Sequence, residues 1–246
     1  FLANIWSRYS GQTDARLDKD IYIINNSENI ISDLVQEIED NRGRLEVKEA
    51  DMEGRTAGHP LYKMLYVITK AKKAIDWSNG GPIYGTIGDY YSIQSHHIFP
   101  QAYLYRNGFQ SDNHIDKKKV NEIANRAFIT RDTNFSISDK APENYLPVIK
   151  AEYPEALEKQ FIPKEAEKWK AEKFDEFLLE RRIWIAKEIN KYLENLKNHS
   201  PDNNEEVEEK QTRNWVEFFK QEENNFIEYK SSLRVCLKES KPMPYI

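Results

Sequence analysis

Apolar residues recur at helical spacing along much of the chain. Ile31, Leu34, Val35 and Ile38 share one face of a segment that Ser27 can cap and Gly43 follows, which predicts a helix over 27–41. Pro60 suits a first helical position, and Leu61, Met64, Leu65, Ile68, Ala71 and Ile75 continue from it. That pattern predicts a strong helix ending near Trp77. The longest amphipathic run lies over 165–197, where Phe174, Phe177, Leu178, Ile185, Ile189, Tyr192, Leu193 and Leu196 form a stripe.

Between these helices the texture changes. Residues 78–92 hold Gly80, Gly81, Pro82, Gly85 and Gly88, a pattern of turns and short extended pieces. Residues 90–99 read as a strand closed by Pro100, and 101–107 as a short helix stopped by Gly108. A helix is expected over 117–125, a short apolar strand over 127–130, and a helix over 132–138 limited by Pro142. Residues 199–210 are polar and acidic and read as a linker. Residues 214–246 resume with aromatics, including a Phe226-Ile227-Glu228-Tyr229-Lys230-Ser231 segment that faintly resembles the opening strand of Schlafen-like or restriction-like domains. A short amphipathic tail is the plainer reading of that segment.

Composition narrows the function. With 246 residues the chain can bury a sizeable core without cross-links, and its 39% hydrophobic and 31% charged content is that of a soluble globular protein. Cys236 is the single cysteine, which excludes an internal disulfide and a multi-cysteine zinc site. No apolar run approaches a transmembrane length, and the opening residues do not read as a secretory signal; a cytoplasmic location is expected. The start at Phe1 without Met and the end at Ile246 read as a fragment of a longer protein. A net charge of -5 leaves no whole-surface grip on nucleic acid, so any such contact must come from a local basic patch or from domains outside this sequence.

One constellation carries chemistry. His96 and His97 are adjacent in Ser95-His96-His97-Ile98-Phe99-Pro100, and Asn125 and Asn134 follow in order. Phosphodiester hydrolysis needs water deprotonated near neutral pH, which suits a histidine. It also needs charge on the transition state and leaving oxygen neutralised, which suits a divalent cation. A neutral imidazole and an amide oxygen, with water and phosphate completing the shell, can hold such an ion.

These residues resemble the His-Asn-His (HNH) endonucleases, which use a ββα-metal fold. The match is closer to the C-terminal nuclease domain of GmrSD-type, type IV restriction endonucleases. It rests on His96-His97-Ile98-Phe99-Pro100, Asn121-Glu122-Ile123-Ala124-Asn125, the Thr130 to Ser138 segment with Asn134, and Pro142-Glu143-Asn144-Tyr145-Leu146. Flanking Asp76-Trp77, Phe161-Ile162-Pro163 and Phe177 to Arg182 extend it over about 60–197. The resemblance implies that His96 and Asn134 hold a divalent ion (Mg2+, with Mn2+ as the alternative). It implies that His97 activates water and that Asn125 fixes the loop and the base. Arg131 and Lys140 are guessed as contacts to the scissile phosphate. DNA is the implied substrate, in restriction or anti-phage defence. An N-terminal nucleotide-binding sensor domain accompanies the resembled nucleases and lies outside this sequence. Neighbours on a regular strand point to opposite faces, so His96 and His97 can share one site only if the strand ends or bulges there.

The expected fold is α+β and mainly helical, with a small ββα-metal motif among helices. It divides into a helical part over 1–92, the nuclease motif over 93–150, a long helix over 151–198 packed on it, and an acidic linker with a further unit over 199–246. A His-His pair taken alone is usually structural. Two other functions stay open: a helical binding or regulatory module with a decayed site, and a ribonuclease or toxin. Lys117, Lys118 and Lys119 are read as a solvated helix start with a DNA patch as the alternative, and His114 as plain loop. His59 and His199 are read as incidental, and Arg181 and Arg182 as pairing with acidic neighbours on the long helix.

Overall fold

The computed structural model describes residues 2–84 and 92–198, with short strand pairing at 235–236 and 241–242. The chain separates into two units, Phe1–Asn198 and His199–Ile246. In the second, Val235–Cys236 pairs antiparallel with Lys241–Pro242. Gly85, Gly88, His199 and the 226–231 segment lie outside the described residues.

The first unit is mostly helical around one small antiparallel sheet. Its helices are α1 (Leu2–Ile5), α2 (Thr13–Asn26), α3 (Ile30–Arg42), α4 (Pro60–Ala71), α5 (Gln101–Arg106), α6 (His114–Val120), α7 (Arg131–Ile137), α8 (Pro142–Glu152), α9 (Pro154–Glu158) and α10 (Phe174–Asn198). Strands β1 (Ile93–His97) and β2 (Arg126–Thr130) pair in regular register, with Ser95 opposite Phe128, His96 opposite Ala127 and His97 opposite Arg126. The order β1, β2, α7 is strand, strand, helix. No helix among the described residues is long and apolar enough to cross a membrane.

Strand β2 is buried on both faces. Ala127 and Ile129 of β2 join a cluster with Trp77, Phe99, Leu146, Phe174 and Phe177. Phe128, between them, points the other way into a cluster with Leu61, Met64, Leu65, Ile68, Ile185 and Ile189. Helix α10 floors both clusters, with Phe174 and Phe177 in one and Ile185 and Ile189 in the other. From Phe174 to Leu193 the long apolar stripe therefore belongs to the core.

Several boundaries differ from the sequence expectation, each for a local reason. Helix α4 ends at Ala71 and not near Trp77. Lys73 takes φ 52, and the chain turns back so that Ile75 bridges Pro82 across a turn in which Gly80 has φ 65. A Cβ on Gly80 would also lie 2.8 Å from the Tyr153 ring, so glycine is required there twice over. The helix expected over 117–125 begins at His114, because Asn113 Oδ1 accepts from the Ile115 and Asp116 amides. His114 is thus helical, not loop. That helix ends at Val120, and a 3-10 turn covers Ile123–Asn125. The helix expected from 165 starts at Phe174, after short 3-10 turns in which Trp169 Nε1 donates to Pro163 O at 2.8 Å. His59 is not incidental: it caps α4, its Nδ1 accepting from Leu61 N at 3.3 Å.

Arg181 and Arg182 also differ from expectation. The Arg181 guanidinium is fully buried and donates to main-chain carbonyls, at 2.6 Å to Ala124 and 3.1 Å to Gln160. Burial pushes it down to about 9, so it keeps its charge at neutral pH. Arg182 pairs across the fold with Glu122 at 3.4 Å, not along its own helix. Both arginines tie α10 to the turn that leads into Asn125.

Candidate functional site

The loop between β1 and α5 is set by Asn125, which is completely buried. Its Oδ1 accepts from Phe99 N at 2.8 Å, and its Nδ2 donates to Phe99 O at 3.0 Å and Val120 O at 2.9 Å. Its own carbonyl accepts from Ile98 N at 3.0 Å. One residue thus holds the exit of the strand that carries both histidines.

The position of Asn134 follows from Asp76. The Asp76 carboxylate accepts from Thr130 N at 2.8 Å, from Ser78 N and Oγ, and from the Thr133 hydroxyl in a short contact. Burial alone would raise this carboxyl, but the hydrogen bonds outweigh it and hold it below the usual range. Thr130 caps α7. The junction between β2 and α7 is therefore rigid, and the next turn presents the Asn134 carboxamide to β1.

His96 meets it there. The imidazole is 3% exposed, and its Nδ1 lies 2.8 Å from Asn134 Oδ1. Trp77 and Tyr145 wall the ring, with centroids at 5.6 and 6.0 Å. Burial pushes His96 down to about 4, so the ring is neutral near pH 7 and carries one proton. Tyr145 donates its hydroxyl to Ile98 O at 2.6 Å, which leaves the phenol oxygen as an acceptor 3.4 Å from His96 Nε2. With the proton on Nδ1 the ring donates to Asn134. With the proton on Nε2, Nδ1 and Asn134 Oδ1 become two lone-pair donors 2.8 Å apart.

Those two atoms fit a divalent cation. Neighbouring ligands about 2.1 Å from an ion and at right angles to each other are about 3 Å apart, close to the observed separation. Both donors are neutral, so an ion there would keep its full charge for phosphate. Among the described residues no cluster of three or more His, Cys, Asp or Glu could hold a metal, so the remaining ligands would be water and substrate oxygens.

His97 sits in a second cluster. It is half-buried, with Nε2 3.2 Å from Asn121 Oδ1 and 3.3 Å from Gln101 Nε2. Asn121 Oδ1 also accepts from Gln101 Nε2 at 2.7 Å and from the Arg126 guanidinium at 3.1 Å. Burial, then the Arg126 charge, push His97 down to about 4, so it too is neutral near pH 7. An Nε2 proton donated to Asn121 would leave Nδ1 as the free base. Pairing is regular through both histidines and β1 ends at His97, so the rings leave opposite faces at the end of the strand.

The structure thus joins His96 to Asn134, and places Asn125 under the loop that follows His97. It does not place His97 against Asn134. Arg131 lies 5.6 Å over the Phe135 ring and Lys140 bonds Ser136 O, each at the exposed side of α7. Gln101, Asn121, Arg126 and Tyr145 were not read as site residues. Asn121 and Tyr145 stood within the motifs that carry the resemblance without a role, and Gln101 carried only its i+4 spacing from His97.

No protein-family model and no solved structure matches the chain. It is 29% identical over 146 residues to the uncharacterized protein MJ0686 of Methanocaldococcus jannaschii, covering 56% of this chain. The match spans 22% of that protein's length.

Proposed function

We propose that the chain carries a metal-dependent HNH-type endonuclease centre acting on DNA phosphodiester bonds. The observation that supports this best is the contact between His96 and Asn134. A strand histidine and a helix carboxamide, 38 residues apart in the chain, meet at 2.8 Å in strand, strand, helix order. The buried Asn125 holds the loop between them, as the resemblance to HNH nucleases implies. A bound Mg2+ or Mn2+ would neutralise charge on the phosphate and the leaving oxygen.

The protein's own groups have distinct tasks. His96 and Asn134 would hold the ion on one flank of the end of β1. On the other flank, Asn121 orients His97 so that Nδ1 takes a proton from water. The scissile phosphate lies across the strand end and spans the two flanks. The products carry 5'-phosphate and 3'-hydroxyl ends. A setting in a restriction or anti-phage protein, with a nucleotide-binding sensor domain elsewhere in the polypeptide and a cytoplasmic location, follows the same resemblance.

A plasmid-nicking assay with Mg2+ or Mn2+ tests the proposal. Wild type is expected to nick supercoiled DNA, His97→Ala to lose at least about 100-fold, within the range for loss of a general base, and Asn134→Ala to lose activity through weaker ion binding. Circular dichroism checks that both variants fold. Equal nicking by folded His97→Ala and wild type would remove His97 as the base. Cleavage of RNA with intact plasmid would move the substrate to RNA.

A further inference from the structure

A surface cavity of about 520 Å³ opens beside the His97 cluster, lined by Thr56, Ala57, Gly58, His114, Lys117, Lys118, Asn121 and Arg126. Its chemistry is one-sided. Two lysines, an arginine and a histidine line it, with no carboxylate, in a chain of net charge -5. The third lysine of the run, Lys119, is paired with Asp175 at 2.9 Å. Among the described residues, Lys117, Lys118 and Arg126 have no such partner. Among the described residues, Arg126 is half-buried, donates only to Ser95 and Asn121, and keeps a buried Nε–H without an acceptor.

The wall is also fixed in place. Glu122 Oε2 accepts from Gly54 N at 2.8 Å, and Ile123 N donates to Arg55 O at 2.7 Å. These bonds hold the 54–58 loop against the 3-10 turn that precedes Arg126. Asn121 lines the cavity and touches both His97 and Arg126, so the cavity adjoins the base.

We propose that this cavity is a phosphate-binding site for the substrate strand, next to the phosphate attacked by the water that His97 activates. A phosphodiester strand that enters a hollow lined by such cations sheds its own condensed counterions, which favours binding and makes it salt-dependent. Arg126 supplies the planar fork that matches a phosphate, while Lys117 and Lys118 supply point charges. The inference rests on the nuclease reading for its substrate, but binding tests it apart from cleavage.

The test is fluorescence anisotropy with short labelled DNA and RNA duplexes in EDTA, where no cutting occurs. The proteins are wild type, Lys117→Ala/Lys118→Ala, and Lys187→Ala/Lys191→Ala as a charge-matched control on exposed α10 positions. The pocket variant is expected to bind about tenfold more weakly. Its slope of log affinity against log salt should be shallower by about two, one for each cation removed. Lys117→Arg/Lys118→Arg should restore the slope. Equal affinity and slope in the pocket variant and wild type would overturn the site, even if nicking were intact. Weak binding in both the pocket variant and the α10 control would overturn it too, since the effect would be one of overall charge. A pocket effect seen with RNA alone would keep the site and exclude DNA. Pocket-dependent DNA binding without nicking under Mg2+ or Mn2+ would support the site and sink the nuclease reading.

Discussion

Asn125 grips Phe99 by both of its main-chain groups, accepting from its amide at 2.8 Å and donating to its carbonyl at 3.0 Å. The same carboxamide reaches Val120 O, so three buried main-chain groups depend on it. Asn125→Ala is expected to cost about 3 kcal/mol, since each buried group left unpaired costs about 1–3 kcal/mol. In a unit of this size that lowers the thermal midpoint by roughly 6–12 °C. Asn125→Asp should also destabilise, because a carboxylate cannot donate to the two carbonyls. An unchanged melting curve for either variant would show that the loop holds itself.

Tyr145 and His96 share a tautomer. The phenol gives its proton to Ile98 O and offers its oxygen to His96 Nε2. If His96 Nδ1 is a metal ligand, Tyr145→Phe removes the acceptor that keeps the proton on Nε2. Mn2+ affinity, followed by electron paramagnetic resonance, is then expected to fall about 10-fold or more, the range for loss of a ligand's outer partner. Asn134→Ala should fall further. Identical Mn2+ affinity in wild type and Asn134→Ala would remove Asn134 from the ion.

Acid should act through Asp76. Its carboxyl is held below the ordinary value, burial being outweighed by hydrogen bonds from Thr133, Thr130 and Ser78. A carboxyl depressed on folding contributes stability above its unfolded value of about 3.9 and loses it as pH falls through the folded value. The stability gap between wild type and Asp76→Asn should therefore be widest near neutral pH and narrow below about pH 4. Urea unfolding at several pH values measures it, and a gap independent of pH would contradict the assignment.

Much of this architecture was legible in the residues and part was not. The order of strand, strand and helix and the stop at Gly108 depend on local spacing, while Asn125 as the loop clamp came from the resemblance to HNH nucleases. The end of α4 was misread because Ala71 and Ile75 continue the helical period into a turn that tertiary bonds impose, Ile83 N donating to Ala74 O. Arg181 was misread because nothing in its neighbours distinguishes a solvated arginine from one buried under carbonyls. Asn121 and Arg126 became site residues only when the fold brought them to His97.

Arg181 itself gives a further test. Its guanidinium satisfies the carbonyls of Ala124 and Gln160, and Arg181→Ala is expected to cost about 3 kcal/mol, from charge-assisted bonds worth about 1.5–3 kcal/mol each. Arg181→Lys should recover only part, since an ammonium lacks the planar fork. The readout is the urea midpoint at constant m-value. A full recovery by lysine would mean that charge alone matters there.

The two-stranded sheet has one more consequence. Gln160 accepts from Phe128 N at 2.7 Å and donates to Phe128 O at 2.6 Å, while Asp76 takes the Thr130 amide. Side chains therefore stand in for a third strand along the far margin of β2. A second copy, or an extended peptide, finds no free ladder to extend on that side, so assembly by strand addition is closed to this part of the molecule.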